Sequence, residues 1–244
     1  MFRLLIWFFC APFFFSFSQE NKGNSYVDIN HFKGYVPLHN PDILHLIKGR
    51  PEGTLIAWNQ RTDGQKEWHR HYNYPDYGAS FMLQDFQNPV LGKAYGFYGH
   101  FNFYFLKHRM MLRIGQGVVI SSNPYDKNSN PKNIAFGSKL LASPYLMLNY
   151  KKSNLIGPLG IQSGLLLFHA SNGNIKAPNT SVNTIAFNIG LNYDLGSKEI
   201  IPEYLPEEVF ISEGLKINLV FRSGLNQISV VGGSQFPFYT FSVY

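Results

Sequence analysis

The residues best suited to chemistry lie between Leu165 and Asn183, where an apolar run ends in Phe168-His169-Ala170-Ser171-Asn172. A turn rich in Gly, Asn and Pro follows, and Asn183 opens the next run. Side chains alternate between faces along a strand, so His169 and Ser171 share one face and come close enough to hydrogen-bond. An imidazole beside a hydroxyl is the minimum kit for nucleophilic catalysis. The histidine takes the proton as the serine attacks a carbonyl, then returns it to the leaving group. A third group must hold the imidazole in the right tautomer, and the oxyanion needs donors. Asn183 is the candidate for the first task. The backbone N–H groups of Asn172-Gly173-Asn174 are candidates for the second, since glycine leaves them little obstructed. Taken alone, His-x-Ser is a weak signal, because rim histidines and hydroxyls commonly just hydrogen-bond a loop.

What carries these residues is suggested by composition. The chain has 244 residues, of which 15% are charged and 16% aromatic, with 22 Phe and 15 Tyr. An ordinary soluble domain is about 25% charged. Mean hydropathy is nevertheless only -0.13, and beyond the N-terminus no stretch reaches the ~20 apolar residues of a membrane-spanning helix. Low charge, many aromatics and no spanning helix together suit a membrane β-barrel. Met1-Phe2-Arg3, the apolar run Leu4 to Phe17 and the small residues before Gln19 read as a secretory signal peptide over 1–19, leaving 20–244 as a single barrel domain. The lone cysteine, Cys10, falls inside that leader, so the mature chain carries no disulfide framework. Net charge is +6, which for an exported chain points to anionic lipid headgroups rather than nucleic acid.

Strand periodicity supports the barrel. From Ala94 to Leu106 the odd positions read Tyr, Phe, Gly, Phe, Phe, Phe, and the even positions are small or polar. That is the apolar-out, polar-in alternation of a lipid-facing barrel strand. Further strands are expected over Tyr26 to Val36, Thr54 to Arg61, Ala79 to Asp85 and Met110 to Ile120. Others follow over Leu140 to Tyr150, Leu155 to Phe168, Val182 to Tyr193, Leu215 to Gly224 and Phe236 to Tyr244. The expected fold is therefore an all-β antiparallel outer-membrane barrel of about 8–10 strands. A short helix is expected near Asp42 to Ile47. The connector with Trp68, His69, His71, Tyr72, Tyr74 and Tyr77 reads as an interfacial aromatic belt rather than a metal site.

Outer-membrane barrels keep short turns on the periplasmic side and long loops outside. Residues 107–109 and 151–154 are then periplasmic turns, and 121–138 and 170–181 are outward loops. Asp194 to Glu213 is too long for this scheme. His169, Ser171 and Asn183 fall at the outer rim. By parity Asn183 shares its face with Ile185, Phe187, Ile189, Leu191 and Tyr193, and His169 with Leu165 and Leu167. The polar trio thus faces lipid, where polar groups are costly and are functional candidates by default. A hydrolytic site there meets acyl chains and headgroups.

The segment from Phe168 to Asn179, followed by Asn183, resembles the outer-membrane lipid A 3-O-deacylase family, also called acyloxyacyl hydrolases. The family motif is a strand ending in His-x-Ser-Asn, a short turn with a Pro-Asn pair, and an acidic residue on the next strand. The Trp68 to Gly92 region, with Tyr-Pro-Asp-Tyr-Gly and Asn-Pro-Val-Leu-Gly, looks like the branch of this family in Bacteroidetes-type bacteria. The likeness spans roughly residues 50 to 195. It implies an outer-membrane barrel of a Gram-negative bacterium whose Ser/His pair removes an ester-linked acyl chain from lipid A, with no cofactor and no metal. Asn179, Lys176 and Lys93 are then expected at the substrate. Lys93, Lys127, Lys132 and Lys176 would meet lipid A phosphates, unless they are simply solvated loop charges. One departure matters: the family's acid falls at Asn183. An amide can orient an imidazole but cannot stabilise an imidazolium by charge. The site would then be slower, would borrow an acid such as Asp85 or Asp126, or would be an inactive barrel with a structural or lipid-binding role. A pore is the third reading.

Overall fold

The computed structural model describes residues 24–196, 216–228 and 231–244. The leader expected over 1–19 and most of the segment after Asp194 lie outside the described residues. Eight antiparallel strands close a barrel: β1 (Ser25–Tyr35), β2 (Glu52–Gln60), β3 (Asp76–Asp85), β4 (Lys93–Phe105), β5 (Met110–Ser121), β6 (Leu140–Ile156), β7 (Leu159–Ala170) and β8 (Val182–Asp194). Each pairs with its neighbour in sequence, and β1 pairs with β8 from Tyr26↔Asp194 to Tyr35↔Ile185 to complete the ring. Two further strands among the described residues, β9 (Leu219–Gln227) and β10 (Gln235–Val243), form a separate two-stranded sheet. Of the ten expected strands, eight therefore make the barrel.

Alternation decides which face is which. β4 runs exposed, buried, exposed, buried from Lys93 onward, with Phe97, Phe101 and Phe105 outside and Ala94, Tyr98, His100, Asn102 and Tyr104 inside. β8 exposes Phe187, Ile189, Leu191 and Tyr193 and buries Thr184, Ala186, Asn188 and Asn192. The exterior is a greasy belt and the interior largely polar, which is inside-out relative to a soluble domain.

Such an interior must satisfy its own polar groups. Arg113, fully buried, grips Asp28 with Nη2 to Oδ2 at 2.6 Å and Nη1 to Oδ1 at 3.1 Å. Its Nε donates to Asn102 Oδ1 at 2.7 Å and its Nη2 also reaches Asn59 Oδ1 at 3.0 Å. The Asp28 carboxylate further accepts from Asn30 (2.6 Å), Asn59 (2.8 Å) and Gln162 (3.3 Å). These partners come from β1, β2, β4, β5 and β7, so one ion pair braces five of the eight strands. Room for the larger side chains comes from glycines; a Cβ on Gly115 would stand 2.1 Å from the Tyr145 ring. Lower in the barrel Tyr26, Tyr104 and Asp76 share a second cluster, with the Lys151 ammonium 3.6 Å from the Tyr26 ring centroid.

The two ends differ. The loops 86–92, 122–139 and 36–51, the last with a 3-10 helix Pro41–Leu46, gather at one end around buried Ile43, Leu46, Phe86, Leu91 and Phe136. Phe86 also packs on Phe168 of β7, at 6.5 Å between ring centroids. At the other end the connections are mostly tight. The expected turn at 151–154 is instead strand: β6 continues to Ile156 through a register shift between Lys152 and Ile156, and the chain reverses at Gly157-Pro158. Gly157 adopts φ +58°, a left-handed conformation that glycine takes without strain, so it is the turn residue. The longer 61–75 connector at this end holds the short helix α1 (Glu67–His71), whose Trp68 meets exterior Phe101 edge-on at 6.3 Å.

Removing one member of a buried ion pair leaves the other charged and unpaired, which costs about 3–5 kcal/mol. Arg113→Met should lower the urea midpoint of the detergent-solubilised barrel by that amount of stability. Adding Asp28→Leu should recover part of the loss. A double variant no more stable than the single would contradict a bracing role for the pair.

Candidate active site

His169 sits at the next-to-last position of β7 and Asn183 at the second position of β8, and the two are direct cross-strand partners. The eleven-residue 171–181 loop joins the two strands at the long-loop end. Both side chains lie on the exterior parity of their strands, in line with exposed Leu165, Leu167, Phe187 and Ile189. His169 Nδ1 lies 2.7 Å from Asn183 Oδ1. An amide oxygen only accepts, so Nδ1 carries the proton and Nε2 presents its lone pair away from the strand pair. The backbone of His169 is also held, since Ser143 Oγ donates to its carbonyl at 2.6 Å.

Ser171 follows on the same parity, just past the end of β7. Its backbone still pairs with Ala142 of β6, through Ala142 N–H to Ser171 O at 2.7 Å and Ser171 N–H to Ala142 O at 3.1 Å. The hydroxyl is therefore carried by an extension of the barrel wall. Its Oγ accepts from Gly173 N–H at 3.3 Å, and among the described residues it makes no hydrogen bond to His169. Ser171 and His169 are thus neighbours on one face without a hydrogen bond between them.

The turn after Ser171 is tightly built. Gly173 (φ +62°) and Asn174 (φ +63°) are its central residues, and Ile175 N–H closes it on Asn172 O at 3.2 Å. Two consecutive positive φ values make a type I′ turn. Asn172 is buried: its N–H donates to Asn179 Oδ1 at 2.9 Å and its Nδ2 to Lys176 O at 2.6 Å, while its own Oδ1 finds no partner among the described residues. Of the expected oxyanion donors, the Asn172 N–H is thus committed to Asn179, and the Gly173 N–H already points at the serine oxygen. Asn179 also donates to Asn174 Oδ1 at 2.9 Å, so both ends of its amide clamp the loop. Thr180 ties the loop to the barrel cap through Ile134 O, at 3.1 Å from both its N–H and its hydroxyl.

The remaining charged candidates are less free than their sequence positions suggest. Lys93 Nζ lies 3.4 Å from Asp85 Oδ2. Asp126 accepts from the N–H groups of Asn128 (2.9 Å) and Ser129 (2.8 Å) and from the Ser129 hydroxyl, which holds its carboxyl below the usual carboxylate range. Neither acid hydrogen-bonds His169, whose Nδ1 is bonded to Asn183 Oδ1. Lys176 is exposed beside the turn, near enough to Asp126 to stabilise its charge. In the connector, His69 sits in α1 with Nδ1 accepting from Gly64 N–H and 3.2 Å from Asp63 Oδ1, and no cluster of three or more metal-ligating side chains occurs among the described residues.

One participant was not legible in the sequence. Gln227, at the end of β9, donates from its N–H to Asn174 O at 2.8 Å and accepts from Ala177 N–H through Oε1 at 2.6 Å. Gln235 of β10 donates to Ile175 O at 2.7 Å. The C-terminal hairpin thus holds the loop that follows Ser171 from outside. Nothing local in the sequence marks a glutamine as the partner of a loop some fifty residues away.

The model of the lipid A 3-O-deacylase (PagL) family matches residues 52–192, from the first residue of β2 into β8. No curated protein matches the chain. Among solved structures, Neisserial surface protein A aligns over 71% of this chain and 99% of its own, at 12% identity and a TM-score of 0.43. The outer membrane enzyme PagL aligns over 67% of this chain and 97% of its own, at 18% identity and a TM-score of 0.41. With more than half of its length matched by the family model, this outer-membrane β-barrel chain belongs to the lipid A 3-O-deacylase (PagL) family.

Proposed function

We propose that this protein is an outer-membrane serine esterase that removes an ester-linked acyl chain from lipid A, with Ser171 as nucleophile and His169 as general base. The observation that carries the reading is the 2.7 Å contact between His169 Nδ1 and Asn183 Oδ1. It leaves Nε2 as the basic atom, on the same lipid-facing side as the Ser171 hydroxyl. A substrate whose ester lies at the boundary between acyl chains and headgroups reaches such a site from the side, within the outer leaflet.

The chemistry runs in two halves. Ser171 Oγ breaks its contact with the Gly173 N–H, turns towards His169 and attacks the ester carbonyl as Nε2 takes its proton. The freed Gly173 N–H then faces the developing oxyanion, a donor worth roughly 3–4 kcal/mol when well placed. Collapse breaks the ester bond, and His169 returns the proton to the departing alcohol. Water repeats the sequence on the acyl-serine and releases the fatty acid. Asn183 fixes the tautomer and ring orientation throughout but adds no charge to stabilise the imidazolium. Lys176, with Lys127 and Lys132 on the same set of loops, supplies positive charge where the phosphates of lipid A lie. Lys93 contributes less, because Asp85 offsets it.

A second reading has its own observation. The Ser171 hydroxyl is bonded to Gly173 rather than His169, and an amide stands where the family carries an acid. A barrel that binds lipid A without turning it over has these features too. Purified lipid A incubated with wild type and with Ser171→Ala, followed by mass spectrometry, separates the two. Loss of one acyl chain with wild type only is expected; equal product from both proteins removes Ser171 as nucleophile, and no product from either favours the binding reading.

Asn183 is testable in both directions. Asn183→Leu keeps the volume but frees the imidazole, and turnover should fall at least about tenfold, or ~1.4 kcal/mol of transition-state stabilisation. Asn183→Glu supplies the missing charge and should raise kcat by a similar factor. An unchanged kcat in both variants would show that the 2.7 Å contact plays no part in catalysis.

A further inference from the structure

The β9–β10 hairpin lies outside the eight-strand wall and beyond the residues matched by the family model. Its register sorts its residues into two faces. Leu219↔Val243, Phe221↔Phe241, Ser223↔Tyr239 and Leu225↔Pro237 share one face, with Phe221 and Tyr239 stacked at 6.2 Å. The other face is mixed, with Val220↔Ser242, Arg222↔Thr240, Gly224↔Phe238 and Asn226↔Phe236; Arg222 donates there to Ser242 Oγ (3.2 Å) and Tyr244 OH (3.4 Å), while Phe236 and Phe238 lie towards the turn. The Arg222 end of the hairpin is therefore amphipathic, and its aromatic face is uncovered among the described residues: Phe221 and Phe241 are each 65% exposed and Tyr239 70%.

Three environments can be weighed for that face. Water alone is unfavourable, because a contiguous aromatic patch on a hairpin of two nine-residue strands carries the full hydrophobic cost of exposure. The hydrocarbon core is excluded by the backbone, since β9 and β10 pair only with each other among the described residues and their outer edges present unpaired N–H and C=O groups. The barrel offers no edge to pair with, because it is closed. The headgroup boundary of the bilayer satisfies both demands, with water for the edges and the polar face and acyl chains for the aromatic one. Location agrees. The hairpin is bonded through Gln227 and Gln235 to the 174–177 loop, which springs from the outer ends of β7 and β8 where the lipid-facing belt stops.

We propose that the β9–β10 hairpin is a membrane-surface docking element that lies in the outer headgroup region with the Phe221, Tyr239 and Phe241 face towards lipid, and that it ties the Ser171 loop to that surface. Seated in this way, the hairpin holds the turn containing the Gly173 N–H at the level of the bilayer boundary. The proposal concerns lipid contact, and it stands or falls separately from esterase activity.

Ser223 and Thr240 allow a conservative test, because they lie on opposite faces and tolerate cysteine in place of a small side chain. Full-length Ser223→Cys and Thr240→Cys, each made with Cys10→Ser, are spin-labelled and reconstituted in phosphatidylethanolamine/phosphatidylglycerol vesicles. Folding is checked by the heat-dependent gel migration of a closed barrel. Collisions with oxygen, which partitions into lipid, and with a water-soluble nickel chelate are then compared. The proposal predicts an oxygen-to-chelate ratio several-fold higher at 223 than at 240, and intermediate between water and the bilayer centre. Equal, water-like ratios at both positions would overturn it, as would bilayer-centre values at both. Dipolar broadening at 223 that vanishes on dilution with unlabelled protein would instead assign the face to a second copy of the chain.

Discussion

A chain that spans hydrocarbon must satisfy every backbone N–H and C=O within itself, and with strands the way to do so is to close the sheet. The β1–β8 pairing meets that demand, and the rest of the structure follows from it. A closed wall has one face to lipid and one to its own interior, so alternate residues are committed to opposite solvents. The interior half is left with polar side chains that cannot all reach water. The Arg113–Asp28 pair and its amide partners resolve this by linking five strands across the lumen. Large aromatic side chains fill the remainder, so the interior is a packed polar core and the surface chemistry is displaced to the outside.

That displacement explains where the candidate site is. His169 and Asn183 are brought together by cross-strand register alone, and their parity sends them outward. A one-residue slip between β7 and β8 would turn one side chain inward and break the 2.7 Å contact. Precision at the site is thus inherited from the barrel wall, with the Ser171 backbone pinned to Ala142 and the following turn pinned by Asn179, Thr180 and the hairpin. In the proposed mechanism the serine hydroxyl is the group that moves. The family acts on lipid A, and a lipid-facing site of this kind fits the proposed amphiphilic substrate.

Much of the wall was readable from the residues themselves. Alternation in Ala94 to Phe105 and in Asn183 to Tyr193 is strong because lipid and lumen impose opposite demands on adjacent positions. The lipid-side placement of His169, Ser171 and Asn183 followed from the same parity. The turn between β6 and β7 was misplaced because Lys151-Lys152-Ser153-Asn154 is polar enough to read as a loop, whereas Lys151 is buried against Tyr26 and the real reversal needed Gly157. Counting ten strands was sound, but periodicity carries no information on which strands share a sheet, so the separation of β9 and β10 was invisible. Asp85 and Asp126 drew attention as spare acids because their local partners, Lys93 and the 128–129 backbone, appear only in three dimensions. Gln227 was missed for the same reason.

The central claim is that Ser171 is an activated nucleophile, and it can be tested without knowing which acyl position is cut. The purified barrel is treated with a reactive phosphonate ester and its intact mass measured, followed by peptide mapping. One phosphonyl adduct on Ser171 that disappears in His169→Ala is the predicted result. No adduct on the wild-type protein, or one on another hydroxyl that persists in His169→Ala, would contradict it.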